Sequence, residues 1–573
     1  MFFSTCPAVP LRRSQHTEEV SLESWDAGHR GRAPGVGTWV ALAVGVLALL
    51  LYQPLSPGIL HDDGVYLMLA RGVAEGHGYV YHGVPGTPPG AKFPPIYSAL
   101  LALYWTVTGG DLAAVSRLAV ATNLLALVGL AAALARFARI HLGLPRSWSL
   151  GCGLMMGLPA APWSYALLPL SDAPGLLLGV LLVGAATRLE RAPPGERGRP
   201  TLCFLLLFLV AFHLRTALLV VGVAGVLGVW ARGMGENPGE GIRRGVAGAL
   251  PAGVGVLLLA LPWLILSRLW TERIPPEFRD LLGGYGDWLG SMAGVGLGPL
   301  DGVGPRLLRM VEEVAGALVP GVPGALRWGM ILLLLPLLAL GLANLWRHSR
   351  SALLALGLLA LQVVLWPFVD QRMVLPLLPW LVLAVVAGGY RAGSTFQAPL
   401  PRGGTALPVL ASASLAAWIS VLTISLGLQA TRPDGIIDSG VVVRGVALEE
   451  VVGAIREEVP PGEVVGAPEF WAILHLRTGH PVVPSARFRP GMGRKAVGTP
   501  AEQHRQWGVG RVAALVDEGG LHRAALDALA QRCGEGAWQV AREGVGYRLI
   551  LLTWDARCRR TVIPDWQEGL PGS

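Results

Sequence analysis

Apolar runs long enough to cross a bilayer recur from Val36 to about Leu428 of this 573-residue chain, and that repetition limits the fold more than any other feature. Hydrocarbon offers no partner to a backbone N–H or C=O, so a crossing segment must be an α-helix or part of a closed barrel. Runs of roughly 17–25 residues fit the helix. Eleven spans are expected, at about 36–54, 112–135, 147–163, 172–188, 201–214, 216–231, 246–267, 327–346, 352–369, 373–390 and 406–428. A 52% hydrophobic content, 15% charged residues and a mean hydropathy of +0.51 exclude an ordinary soluble protein. After Arg432 the composition becomes that of a soluble domain. The expected fold class is a polytopic α-helical membrane protein with a C-terminal extracytoplasmic α/β domain. Its expected parts are a cytoplasmic tail at 1–35, a transmembrane domain at 36–429 with a first external loop at 55–111, and the exported domain at 430–573.

The net charge of +8 does not point to nucleic acid, because it is almost all arginine placed just beyond the ends of spans. Arg12, Arg13, Arg30 and Arg32 precede the first span. Arg136, Arg139 and Arg146, then Arg188, Arg191, Arg197 and Arg199, then Arg232, Arg243 and Arg244, then Arg347 and Arg350, then Arg391 and Arg402 mark alternate loops. By the positive-inside rule these loops face the cytoplasm. An odd number of spans then puts the N-terminus inside and the C-terminal domain outside the plasma membrane. The segment 269–325, with Arg273, Arg279, Arg306 and Arg309, is a long loop and exempt from strict charge control. Only Arg215 separates 201–214 from 216–231, and merging them would invert everything downstream; the later arginines argue against that. About 35 polar residues precede the first apolar run, so a retained signal anchor is expected rather than a cleaved signal peptide.

Few charges remain to carry chemistry, and they gather in the first external loop. Its segment His61-Asp62-Asp63-Gly64-Val65-Tyr66 to Arg71 reads as a short amphipathic helix with Val65, Leu69 and Val73 on one face, stopped by the glycines around His77. Lys92-Phe93-Pro94-Pro95 then forces an extended approach to a second apolar helix over 96–107. Asp62 suits the N-cap, where its oxygen would accept orphan backbone N–H groups. The adjacent Asp63 adds repulsion, so the pair reads equally as a base, a metal ligand or a site for a cationic group. Of the 46 lysines and arginines only Lys92 and Lys495 are lysine. A lysine kept against that bias suggests that a compact ammonium is wanted; the alternative is a side chain snorkelling to the interface. His61, His77 and His82 share this loop, but no spacing gives the i, i+4 pair of one helical face, so a divalent metal is left open.

These residues resemble a known family. An acidic pair just after the first span, then Tyr66, Ala70 and Arg71, then Lys92-Phe-Pro-Pro-Ile-Tyr leading into an apolar helix, resembles the GT-C superfamily of integral-membrane glycosyltransferases. The nearest likeness is to bacterial relatives of protein O-mannosyltransferases and of the lipid A aminoarabinose transferase. Weaker matches are Ser171-Asp172-Ala173-Pro174, Leu214-Arg215-Thr216 and Asp370-Gln371-Arg372 before Leu375-Pro376-Leu377-Leu378-Pro379. The resemblance covers roughly 36–430 and departs from the common motif in carrying Asp-Asp-Gly where many relatives have Asp-Glu. It implies a GT-C-like fold and transfer of a hexosyl or pentosyl group from a polyprenyl-phosphate-linked donor to a lipid, glycan or protein acceptor outside the membrane. It further implies inversion, with Asp62 as catalytic base, Asp63 beside it, and Lys92 and Arg372 on the donor phosphate. Tyr66, Arg71, Asp172 and Arg215 are candidate substrate-binding residues. Asp172 reads equally as an N-cap before Pro174, and Arg215 and Arg372 as snorkelling residues. No cofactor is required by this reading.

In the C-terminal part, helical patterns at 447–458 and 521–532 alternate with strand-like runs at 463–467, 511–516 and 547–554, which implies an α/β layer. Cys533 and Cys558 read either as a disulfide in an oxidising compartment or as two separate thiols. The basic stretch 487–495 and Trp471, Trp507, Trp538 and Trp554 are candidates for lipid phosphate and sugar contact, against the plainer readings of solvated loop and core. Two rival classes stand against the transferase. A transporter or flippase of lipid-linked glycans would show internal repeats and ionisable groups near the bilayer midplane, whereas here no clear repeat is seen and the charges collect at the external boundary. A non-catalytic scaffold would tolerate loss of Asp62 and Lys92.

Overall fold

The computed structural model describes residues 35–52, 55–236, 241–286, 302–318, 322, 324–366, 369–395, 418, 420–426, 439–467, 470–484, 509–515, 538–544 and 547–552. Among the described residues six helices are long and apolar enough to cross a membrane: Leu112–His141, Asp172–Arg191, Thr216–Gly235, Gly241–Arg273, Arg327–His348 and Gln371–Ser394. The chain is a multi-pass membrane protein. Three other expected spans appear as the shorter apolar helices Val36–Leu50, Gly198–Leu214 and Arg350–Leu365. Their 15–17 residues rise about 22–26 Å, a little less than the ~30 Å hydrocarbon core. The run at 147–163 is broken into Arg146–Gly157 and Ala160–Ala166. Pro159 stands in the break with extended backbone, where its missing N–H costs no ladder bond. The last expected span, 406–428, lies largely outside the described residues, as do Cys533, Cys558, the basic stretch and the helical pattern at 521–532.

The doubtful boundary at Arg215 is real. Arg215 has extended backbone (φ −154°, ψ 113°) between Gly198–Leu214 and the next helix, so the two helices are separate. With no hydrophobic drive between helices inside lipid, small residues decide how closely helices pack. Gly324–His348 and Leu378–Thr395 approach until a Cβ on Gly341 would overlap the Ala384 carbonyl, and one on Gly388 the Leu337 carbonyl. At another helix end Glu190 is buried and accepts hydrogen bonds from the backbone N–H of Arg350 and Ser351 and from the Ser351 hydroxyl. A carboxylate at the start of Arg350–Leu365 satisfies N–H groups that have no helical partner.

The segment expected to be the first external loop forms the helices Asp62–Ala74 and Pro95–Val107. The first of them is not the amphipathic surface helix expected: Asp63 to Ala70 and Gly72 are all buried. The reason is a second cover that its own sequence does not announce. Leu67, Leu69 and Tyr97 share one apolar cluster with Val451, Ile455, Val465 and Trp471, so the C-terminal elements close over the loop. Those elements are the helices Ser439–Glu458 and Trp471–Thr478 and a five-stranded sheet of β1 Val464–Ala467, β2 Val482–Pro484, β3 Val509–Leu515, β4 Trp538–Gly544 and β5 Tyr547–Leu552. The strand order is β2-β1-β3-β5-β4. β1 pairs in parallel with β2 and β3, while β5 pairs antiparallel with β3 and β4. Three of these strands match the expected runs; β2 and β4 were not foreseen.

Candidate active site

Asp62 is the first residue of its helix rather than the residue that caps it. The N-cap position belongs to His61, whose φ of 68° lies in the left-handed region and which makes no side-chain cap. That conformation is unfavourable for a side-chain-bearing residue and persists only where packing holds it; the His61 ring lies edge-on to Trp471 at 5.5 Å. The Asp62 carboxylate is thereby left for a distant partner, and Oδ2 accepts a hydrogen bond from Arg372 Nη1 at 2.5 Å.

Arg372 lies in the first turn of a span, where Asp370 supplies the cap by accepting from Met373 N at 3.0 Å. Its Nε donates to both oxygens of Asp172, at 3.1 and 2.9 Å, and its Nη2 lies 2.9 Å from Oδ2. Asp172 in turn accepts from Arg215 Nη1. Asp172 is thus no N-cap either: Ser171 holds that position, and the Asp172 carboxylate is taken by two guanidinium groups. The order Asp62–Arg372–Asp172–Arg215 forms one chain of charges, with side-chain exposures of 24%, 14%, 3% and 18%. Burying opposite charges is tolerable only when they are paired in this way.

Neighbouring polar groups fix the frame. The Tyr66 hydroxyl lies 2.9 Å from Ser171 Oγ, and its ring packs on Phe93 and Tyr97. Asn123 donates to the Leu168 carbonyl at 2.6 Å, which anchors the turn before Asp172. Lys92 Nζ donates to the Leu281 carbonyl at 3.4 Å and stands 5.8 and 5.9 Å from the rings of Phe93 and Tyr285. Burial works against the charged form of Asp62, yet Arg372, with His61 and Lys92, outweighs it and holds the carboxyl below its usual value. Burial depresses Lys92; the Asp62 charge opposes that and Arg372 adds to it. Lys92, Arg215 and Arg372 therefore face two carboxylates, Asp62 and Asp172, an excess suited to an incoming anion.

Two expected site residues lie elsewhere. Asp63 is wholly buried and accepts from Gly58 N at 2.6 Å and Leu60 N at 3.1 Å, so it fastens the turn before its helix. Burial pushes its carboxyl up to about 6, against the N–H groups of Gly58, Gly64 and Leu60 and with the Asp62 charge. Arg71, at the far end of the helix, pairs with Glu75 at 2.8 Å and lies over Trp105. Sequence reasoning missed Ser171 as a partner, Asn123 and Tyr285. Ser171 carried a signal, since it precedes Asp172 in a quoted motif; Asn123 was one amide in an apolar run, and Tyr285 had no signal.

No protein-family model and no curated protein matches the sequence. Solved structures do. ArnT from Cupriavidus metallidurans matches in its apo state with a TM-score of 0.52 and bound to undecaprenyl phosphate with 0.50; both are 13% identical and cover 90% of this chain and 97% of theirs. The archaeal oligosaccharyltransferase AglB from Archaeoglobus fulgidus, in complex with an inhibitory peptide and a dolichol-phosphate, matches with a TM-score of 0.52 at 10% identity. That match covers 91% of this chain and 74% of AglB. At such identities the likeness establishes the fold alone, and the fold of this chain is that shared with ArnT and AglB.

Proposed function

We propose that the protein is a glycosyltransferase that takes a sugar from a polyprenyl-phosphate-linked donor and passes it to an acceptor hydroxyl at the external face of the membrane, with inversion. The observation that carries the reading is the placement of Asp62: an ionised carboxylate at the start of a buried loop helix, held by Arg372 at 2.5 Å with Lys92 close by. Structures with this fold that hold undecaprenyl phosphate or a dolichol-phosphate lend support to the choice of a lipid-linked donor.

The acceptor oxygen attacks the anomeric carbon while the bond from that carbon to the phosphate oxygen breaks, and the electron pair leaves with the polyprenyl phosphate. Asp62 takes the acceptor proton. A carboxylate with a lowered pKa is a weak base, so the proton moves late, when attack has already made the hydroxyl acidic. Lys92 faces the charge that grows on the departing phosphate. Preorganised cations in a site shielded from water lower the barrier because they need no reorganisation at the moment of reaction. Arg372 is shared between two carboxylates and acts mainly by orienting Asp62; this differs from the direct phosphate contact expected for it from sequence.

The test is transfer from a panel of polyprenyl-phosphoryl sugars by the full chain in lipid, wild type against Asp62→Asn. The amide keeps the shape and an acceptor for Arg372 but cannot take a proton. Turnover is expected to fall by roughly 10²–10⁴. Equal turnover sinks the base assignment.

A further inference from the structure

Where the Asp62 helix ends, the chain brings together three side chains of which the transfer chemistry makes no use. Glu75, His77 and His82 each offer one donor atom, and these atoms lie within 4.8 Å of one another. The spacing 75, 77, 82 looks unlike a metal motif because no helix carries it. The turn does the work instead. Gly76 and Gly78 have φ of 82° and 88°, which side-chain-bearing residues rarely adopt, and His77 N donates back to the Gly72 carbonyl at 2.8 Å. His77 is thus folded against the helix end, and Gly83, at φ 93°, turns the chain again just past His82.

We propose that Glu75, His77 and His82 bind a divalent transition-metal ion of the zinc type, which clamps the end of the first loop helix to the segment leading to Lys92. Two imidazoles and a carboxylate match that class of ion, with a fourth position left for water. The His77 and His82 rings already stack at 4.1 Å and 5°, and His82 Nδ1 is buried with no hydrogen-bond partner among the described residues. Arg71 holds Glu75 Oε1, which leaves Oε2, 3.8 Å from His77 Nε2, turned to the cluster. A tetrahedral ion would draw its donors to about 3.4 Å apart. Glu75 and His77 are exposed and have room to rotate by the ångström or so required. The carboxylate disfavours an anion at this place.

The inference does not depend on the proposed transfer reaction. Full-length protein purified without a histidine tag and stripped by chelator dialysis is titrated with zinc chloride, with metal content read by mass spectrometry and unfolding by heat. One equivalent is expected to bind, raising the unfolding temperature. In His77→Ala/His82→Ala the affinity falls at least about 100-fold, a loss larger than that from merely removing a supporting partner of a ligand. Glu75→Gln, a milder change, should weaken binding while leaving the unliganded protein as stable as wild type. Zinc bound equally by wild type and both variants, or none bound by wild type, overturns the proposal.

Discussion

Arg372 Nη1 meets Asp62 Oδ2 at 2.5 Å although 310 positions separate the two residues. The same guanidinium grips both oxygens of Asp172, so the direction in which Asp62 points is set two residues away from it.

Asp172→Asn should therefore impair turnover without touching the reacting atoms. Removing one partner of a buried ion pair costs about 3–5 kcal/mol, and here it frees Arg372 to move. Turnover is expected to fall roughly 10–100-fold, as for a misplaced catalytic group, with donor affinity little changed. Combined with Arg372→Gln the loss should be no larger than with Arg372→Gln alone, because both act through one orientation. Multiplying losses in that double-variant cycle would show that the two residues act separately.

Lys92→Ala should lower turnover by about 10²–10³, the usual cost of removing one preorganised donor from a developing oxyanion. Lys92→Arg should rescue little of it. Between the Phe93 and Tyr285 rings a broad, planar guanidinium does not occupy the place of a compact ammonium. Steady-state kinetics that separate kcat from KM decide the matter, since an arginine variant with wild-type kcat would reduce Lys92 to a generic positive charge.

Asp63 predicts a pH effect on stability rather than on chemistry. Its folded pKa of about 6 lies above the free value of 3.8, so between those pH values the native state holds a proton that the unfolded chain has released. The stabilisation is complete below about pH 4 and is lost as the pH rises through 6, to the extent of roughly 3 kcal/mol. Asp63→Asn, which keeps an acceptor for the Gly58 N–H, should flatten that slope. Thermal unfolding at a series of pH values from 4 to 7 measures it, and an unchanged slope in the variant would assign the effect to another group.

What could be read from the sequence follows physical range. The long apolar helices were legible because lipid imposes a length and a composition on each one locally, whereas the break at Arg215 was supported only by the arginines of later loops. Asp62 and Lys92 stood out because they are rare residue types in an apolar chain. Their partners did not, because the Arg372 link exists only once the start of Gln371–Ser394 is brought back to the first loop. Likewise, the burial of Leu67 and Met68 on a helix that looked amphipathic depends on Trp471 and its neighbours, some 400 positions on. The glycines around His77 were read as a helix stop, which they are; that they also bring His77 and His82 together needed their dihedral angles.

Helix packing gives the last prediction, one that has nothing to do with the site. Gly341 and Gly388 face each other's helices across a contact with no room for a methyl group, since the obstructing atoms are backbone carbonyls of Ala384 and Leu337. A backbone cannot swing aside as a side chain can, so the helices must separate and lose the close packing that stands in for the hydrophobic effect within lipid. Gly341→Leu should cost more than the 1–3 kcal/mol or so typical of overpacking and lower the unfolding temperature in detergent by many degrees. Gly357 supplies the control. It lies within Arg350–Leu365, and a Cβ there meets nothing within 4 Å, so Gly357→Ala should be neutral or slightly stabilising through its better helix propensity. Equal unfolding temperatures for the two variants would show that the Gly341 contact is not a close one in the membrane.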